Sequence, residues 1–303
     1  MILRTATVIL LYILVSVSLT GQVDYSWWNE INNWDGVTPW DQYIVKSPGF
    51  MGPNALPVPE MKSGKLPDNS HFRLFTDLHF SKGDNTQNMF SSLYLPLAGN
   101  KVGLEFYGVL VEHYKNDIAT RDQRHSRDFD AKGFSVGDLN IATLITLTRD
   151  HNKWPDMLIR IAFRIPSGSN LRGARFTDAP GYHFDLLFSK KLTKRFEITG
   201  MAGFYAWQIN YNTGRVLYHQ NDALLYGAGL VYSTSGISVD GSVAGYSGYV
   251  DIKDSPVVLR LKTELPVGKF RCILRFQKGL KKDFKYSTIR LGVQIPIRID
   301  YSY

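Results

Sequence analysis

The chain of 303 residues contains one cysteine, Cys272, so no internal disulfide can form and the fold must rest on packing and polar pairing. No cysteine stands directly after the N-terminal apolar run, which excludes a lipid-anchored lipoprotein. Beyond that run no stretch of about 18 apolar residues occurs, and this excludes membrane-spanning helices. Ala- and Leu-rich helical heptads are missing as well. So are a Gly-x-Ser-x-Gly elbow, a Gly-rich phosphate loop, HExxH and CxxC.

Strands take the place of helices. Residues 289–303 alternate almost without fault. Ile289, Leu291, Val293, Ile295, Ile297, Ile299, Tyr301 and Tyr303 share one face; Arg290, Gly292, Gln294, Pro296, Arg298, Asp300 and Ser302 share the other. An aliphatic face ending in tyrosines suits lipid, and the opposite face suits water, as a transmembrane β-barrel strand requires. A long strand of a soluble sandwich would show the same alternation.

The rest of the chain separates these readings. Residues 1–21 carry a single charge, Arg4, then an apolar run over 8–19 and small polar residues, the layout of a secretory signal peptide. Removing Arg4 takes the formal net charge from +8 to +7. A basic exported protein meets lipopolysaccharide phosphates or anionic solutes rather than nucleic acid. Residues 22–69 hold Trp27, Trp28, Trp34 and Trp40, then Pro48, Pro53, Pro57 and Pro59, a density that supports no long strand. They read as an irregular segment that plugs the lumen or caps the periplasmic rim, with the tryptophans as packing and interface anchors.

From residue 70 to 303, twelve strand-like segments recur: 71–80, 88–97, 102–114, 135–148, 157–165, 181–190, 195–211, 222–233, 237–249, 256–265, 270–277 and 284–303. Short connections at 98–100, 192–194 and 266–268 alternate with longer polar ones at 115–133, 167–180, 212–221 and 278–284. Two alternating loop lengths mark periplasmic turns and extracellular loops. The expected fold is therefore all-β, an antiparallel transmembrane β-barrel of about 12 strands preceded by the Trp/Pro-rich segment. Lipid cannot satisfy a sheet edge, so such a sheet must close.

Alternation also assigns an inner face. Arg73, Arg160, Arg164, Arg260, Arg275, Arg290 and Arg298 fall opposite the aliphatic positions and are the candidate lumen-lining, solute-contacting residues. A dry core could not hold so many charges. A water-filled or plugged lumen could, either as a constriction favouring anions or as ion pairs that fill the barrel. No catalytic, metal or cofactor site is expected. His125-Ser126 is the one close His/Ser pair and lies in the charged connection; Asp77 with His79, and Asp128 with Asp130, lack further ligands at metal-binding spacing.

Residues 137–143, Gly-Asp-Leu-Asn-Ile-Ala-Thr, followed by 160–169, Arg-Ile-Ala-Phe-Arg-Ile-Pro-Ser-Gly-Ser, resemble the "Gly-Asp-Leu, then Leu-Pro-Thr-Gly" pattern of Gram-negative outer-membrane barrels of the phenol-degradation (MetA-pathway) type. Ser167 stands where Thr is commoner, and Ile165 where Leu is. The Trp-rich segment with Gly52-Pro53-Asn54-Ala55-Leu56-Pro57 resembles exported barrels of the Bacteroidetes. The strand ending at Tyr303 is similar to the C-terminal signal read by the barrel assembly machinery. The expected function is a passive outer-membrane channel or transporter for small polar, anionic or hydrophobic solutes, whose partners are lipid, lipopolysaccharide, that machinery and envelope proteins. The alternatives are a lipid-processing barrel enzyme and a non-transporting barrel subunit of an envelope complex.

Overall fold

The computed structural model describes residues 23–207, 211–212, 217–218, 223–248 and 254–298. The signal segment expected over 1–21 lies outside them. The chain divides into two compact units, 1–38 and 39–303. In the first, a one-and-a-half-turn helix spans Ser26–Ile31, and the Trp34 indole donates to the Thr38 carbonyl at 2.7 Å.

The second unit is built on strands β1 (His71–Ser81), β2 (Asp84–Leu97), β3 (Val102–Asn116), β4 (Lys132–Ser135), β5 (Leu139–Thr148), β6 (Asp156–Ile165), β7 (Gly181–Lys191), β8 (Phe196–Trp207), β9 (Tyr211–Asn212), β10 (Leu217–Tyr218), β11 (Ala223–Ser233), β12 (Ser238–Ser247), β13 (Val257–Val267), β14 (Phe270–Gly279) and β15 (Ser287–Pro296). Twelve of them close an antiparallel barrel in the order β1-β2-β3-β5-β6-β7-β8-β11-β12-β13-β14-β15. β1 pairs back onto β15, with Leu74 opposite Val293 and Asp77 opposite Arg290. β4 stands outside the ring on β3, and β9 with β10 forms a separate two-stranded ribbon.

The alternation sets the two faces. On β15, Leu291 is 55% exposed while its neighbour Arg290 is 7% exposed. Phe80, Phe163, Phe204, Leu261, Leu274 and Phe276 join the outward apolar belt. A face of exposed aliphatic and aromatic side chains is stable where the solvent is lipid.

The connections sort by end. At one end lie 98–101, 149–155, 192–195, 234–237 and 268–269; at the other lie 117–138, 166–180 and 280–286, and there too β8 ends and β11 begins, and β12 ends and β13 begins. One tight turn breaks the pattern: Lys82-Gly83 joins β1 to β2 at the long-loop end, and Gly83 adopts φ +82°, which glycine takes without strain.

Two segments depart from the expected strands. The one expected over 135–148 is interrupted, because Gly137 donates to the Val109 carbonyl at 3.0 Å and Asp138 turns inward to Arg164. β5 starts only at Leu139. The closing strand ends at Pro296, which cannot donate to a ladder, although Ile297 still donates to the Ser70 carbonyl at 2.9 Å. Tyr301 and Tyr303 lie outside the described residues.

Candidate functional site

The segment before β1 makes contacts in sequence order from the long-loop end to the short-turn end. Ser47 donates to Asp254 at 2.9 Å, and Gly52 donates to the Ala174 carbonyl at 3.0 Å, both in long connections. Farther along, Asn54 donates to Glu112 on β3 at 2.6 Å, and Tyr246 on β12 donates to the Leu56 carbonyl at 3.1 Å. At the far end Ser63 bonds Ser189 and Glu197, and Lys65 pairs with Asp150 and Asp156. Met51, Ala55, Leu56, Val58 and Met61 are buried in one cluster with Leu144, Leu158, Leu187, Leu225 and Val258. Pro53, Pro57 and Pro59 fix φ and remove backbone donors here, so the stretch is rich in carbonyl acceptors and poor in N–H donors.

The inward arginines take those carbonyls. Arg160 donates to the Glu60 carbonyl at 2.9 Å, Arg260 to those of Pro59 and Val58 at 2.9 and 2.6 Å, and Arg164 to that of Ala55. The same side chains pair with wall carboxylates, Arg160 with Asp185 at 3.0 Å and Arg164 with Asp138. Arg290 grips Asp77 at 2.5 and 2.7 Å. Arg275 reaches Glu60 at 3.3 Å. Arg73 donates to Gln294 at 2.8 Å and Arg260 to Gln277 at 2.8 Å; neither makes an ion pair among the described residues.

Six of the seven candidate arginines border one cavity of about 180 Å³ between segment and wall, together with Glu60, Lys62, Phe75, Phe90, Tyr107 and His183. Arg298 does not. It lies two residues past the end of β15 and is exposed, because the ladder that would aim it inward stops at Pro296. Sequence reasoning named Asp77 but not the acids Asp138, Asp185 and Glu60 that meet other arginines. Asp185 was legible as an inward position of β7, but Glu60 on the irregular segment and Arg175 in a connection carry no periodic signal.

Other candidates are engaged elsewhere. Asp77 is held by Arg290 and Asn88, and His79 bonds Thr288 at 2.8 Å and Asn88 at 2.7 Å. The Ser126 hydroxyl donates to the Arg172 carbonyl at 3.1 Å, which fixes a loop, and Asp128 accepts from Arg172 and Tyr114.

One acid in the long-loop end is set to titrate. Asp254 is 4% exposed, and its Oδ2 has no hydrogen-bond partner among the described residues. Burial, with the charge of Asp283, raises its pKa to about 6 against the Ser47 hydrogen bond. The unfolded carboxyl titrates near about 3.9. Between those values the folded state binds the extra proton, so stability is present at low pH and falls as pH rises through about 6. Amide exchange over residues 46–51, corrected for intrinsic rates, should therefore be faster at pH 7.5 than at pH 4.5 by our expectation, and Asp254→Asn should remove the difference. An unchanged pH slope in that variant would refute the assignment.

Comparison with known proteins agrees with this architecture. An outer-membrane channel from Pseudomonas putida F1 superposes with TM-score 0.57 at 10% identity, over 77% of this chain and 97% of that one. The chain is an outer-membrane β-barrel. The translocator unit of the Escherichia coli autotransporter AIDA-I matches at TM-score 0.46 and 6% identity, over 81% and 95% of the two chains. The Pseudomonas putida toluene transporter TodX matches at TM-score 0.40 and 9% identity, over 82% and 96%. No family model and no curated relative matches the sequence.

Proposed function

We propose that the barrel is a passive outer-membrane channel for small polar solutes, with a preference for anions, and that residues 39–66 close its lumen at rest. The observation that carries the reading is the inner wall, where Arg73 and Arg260 line the cavity without a carboxylate partner among the described residues. Fixed cations around a constriction favour anions. The channel from Pseudomonas putida F1 offers the same fold at low identity, which agrees with the reading. The likeness of residues 137–143 to phenol-degradation-type barrels, and of the Trp-rich segment to Bacteroidetes barrels, rests on sequence alone and belongs to this proposal. Lipopolysaccharide contact and assembly through the C-terminal strand belong to it too.

Arg73 is the residue to reverse, because it makes no direct ion pair with a carboxylate among the described residues. Reversal potentials in a planar bilayer under a potassium chloride gradient should show anion preference, and Arg73→Glu should move them toward cation preference. Identical selectivity in the two proteins would remove Arg73 from the pathway.

A further inference from the structure

One row of register partners runs across the inner wall from strand to strand. Asn88 on β2 faces Asp77 on β1, which faces Arg290 on β15, then Arg275 on β14, Lys262 on β13 and Asp240 on β12. Three cations are thus consecutive, and like charges directly opposite one another destabilise an antiparallel pair. The outer two are neutralised within the wall, Arg290 by Asp77 at 2.5 Å and Lys262 by Glu264 at 3.3 Å and Asp240 at 3.6 Å. Arg275, in the middle, has no wall carboxylate among the described residues, and its Nε is buried without an acceptor.

Its anion comes from the threaded segment. Glu60 touches Arg275 at 3.3 Å, a looser contact than the 2.5 Å pair of Arg290 with Asp77, and leaves 37% of its own side chain open. The Arg275, Lys262, Arg290 and Arg260 side chains all act on its carboxylate as favourable charges. Beside it lies the cavity, of about 180 Å³, whose lining includes Arg73, Arg260, Arg275 and Arg290 together with Phe75 and Phe90. An apolar cavity of about 150 Å³ in another protein admits benzene, so the space suffices for a small ring. Arg290 stacks 4.8 Å from the Phe75 ring and 4.4 Å from the Phe90 ring, so the apolar wall adjoins the cationic one.

We infer that this cluster is a seat for a small organic carboxylate with an apolar body, and that Glu60 occupies it as an internal stand-in until such an anion arrives. A carboxylate is the group the fold itself places there, and the two phenylalanines favour an apolar body over a fully hydrated phosphate. The inference rests on the channel reading only for access to the seat.

Isothermal titration calorimetry on the full-length barrel in detergent tests it, with sodium benzoate and sodium phosphate as probes at constant chloride. Benzoate should bind the wild-type protein, and Glu60→Gln should tighten binding about tenfold by removing the internal competitor. Arg275→Gln should abolish binding while heat-modifiable migration shows an intact barrel. Benzoate silent in both wild-type and Glu60→Gln proteins, benzoate bound equally by the two, or phosphate bound in its place would overturn the seat. Benzoate flux into proteoliposomes separates the two readings. Binding without flux sinks the channel and leaves the seat, whereas flux without binding sinks the seat and leaves the channel.

Discussion

Replacing Arg175 by methionine is expected to destabilise the barrel by about 3–5 kcal/mol, the usual cost of breaking a buried ion pair from one side. Arg175 is fully buried, although it comes from the 166–180 connection. Its Nε donates to Glu112 at 2.6 Å, Nη1 to Asp84 at 2.9 Å and Nη2 to Thr86 at 2.7 Å. Its guanidinium lies 4.7 Å from the Tyr114 ring centroid. Burial is the largest influence on this group, yet Glu112 and Asp84 overcome it and hold the guanidinium charged. Asp84 and Glu112 are both 0% exposed. Asp84 would keep Arg124 at 2.7 Å and the Tyr286 hydroxyl at 2.6 Å, but Glu112 would retain only neutral donors, Asn54 and Ser135. Methionine fills similar volume, so the loss reports the stranded charge rather than a cavity. Urea unfolding in lipid vesicles measures it, and Glu112→Gln in the same chain should recover part of the loss. A cost below about 1 kcal/mol, the range of exposed pairs, would mean that water reaches the cluster.

The second large effect concerns the threaded segment. A chain lacking residues 22–66 should pass from silence to resolvable current steps in a planar bilayer. In the intact protein, carbonyls of Ala55, Val58, Pro59 and Glu60 occupy donors of Arg164, Arg260 and Arg160 across the lumen. Withdrawing them leaves the barrel's own backbone ladders untouched and turns those guanidinium groups toward water, where their hydration is restored. Gly52 shows how closely the segment is fitted: a Cβ there would lie 2.6 Å from the Arg175 guanidinium carbon. The truncated barrel should still migrate as a folded species before heating. Folded and silent, it would sink the proposal that residues 39–66 close the lumen.

Much of the wall was legible because its signal is local. Lipid on one side and a polar interior on the other impose a period of two. Leu291 beside Arg290, or Leu261 beside Arg260, therefore declare their faces without reference to any other strand. The same rule misplaced Arg298, since periodicity does not register that the ladder ends at Pro296. It also ran one strand through Gly137-Asp138, where an inward carboxylate, accepting from Gly168 at 2.7 Å and paired with Arg164, outweighs continued pairing.

The sequence alone determined the class of structure: an exported all-β chain whose aliphatic and cationic positions alternate must close into a barrel when lipid is the solvent. Tertiary structure decided which charges meet. Arg175 finds Asp84 across 91 positions, Arg260 finds Val58 across 202, and Arg290 finds Asp77 across 213. Alternation places a side chain on a face through the geometry of its own strand. The partner it meets there depends on closure, on register and on the path of a segment that belongs to no strand.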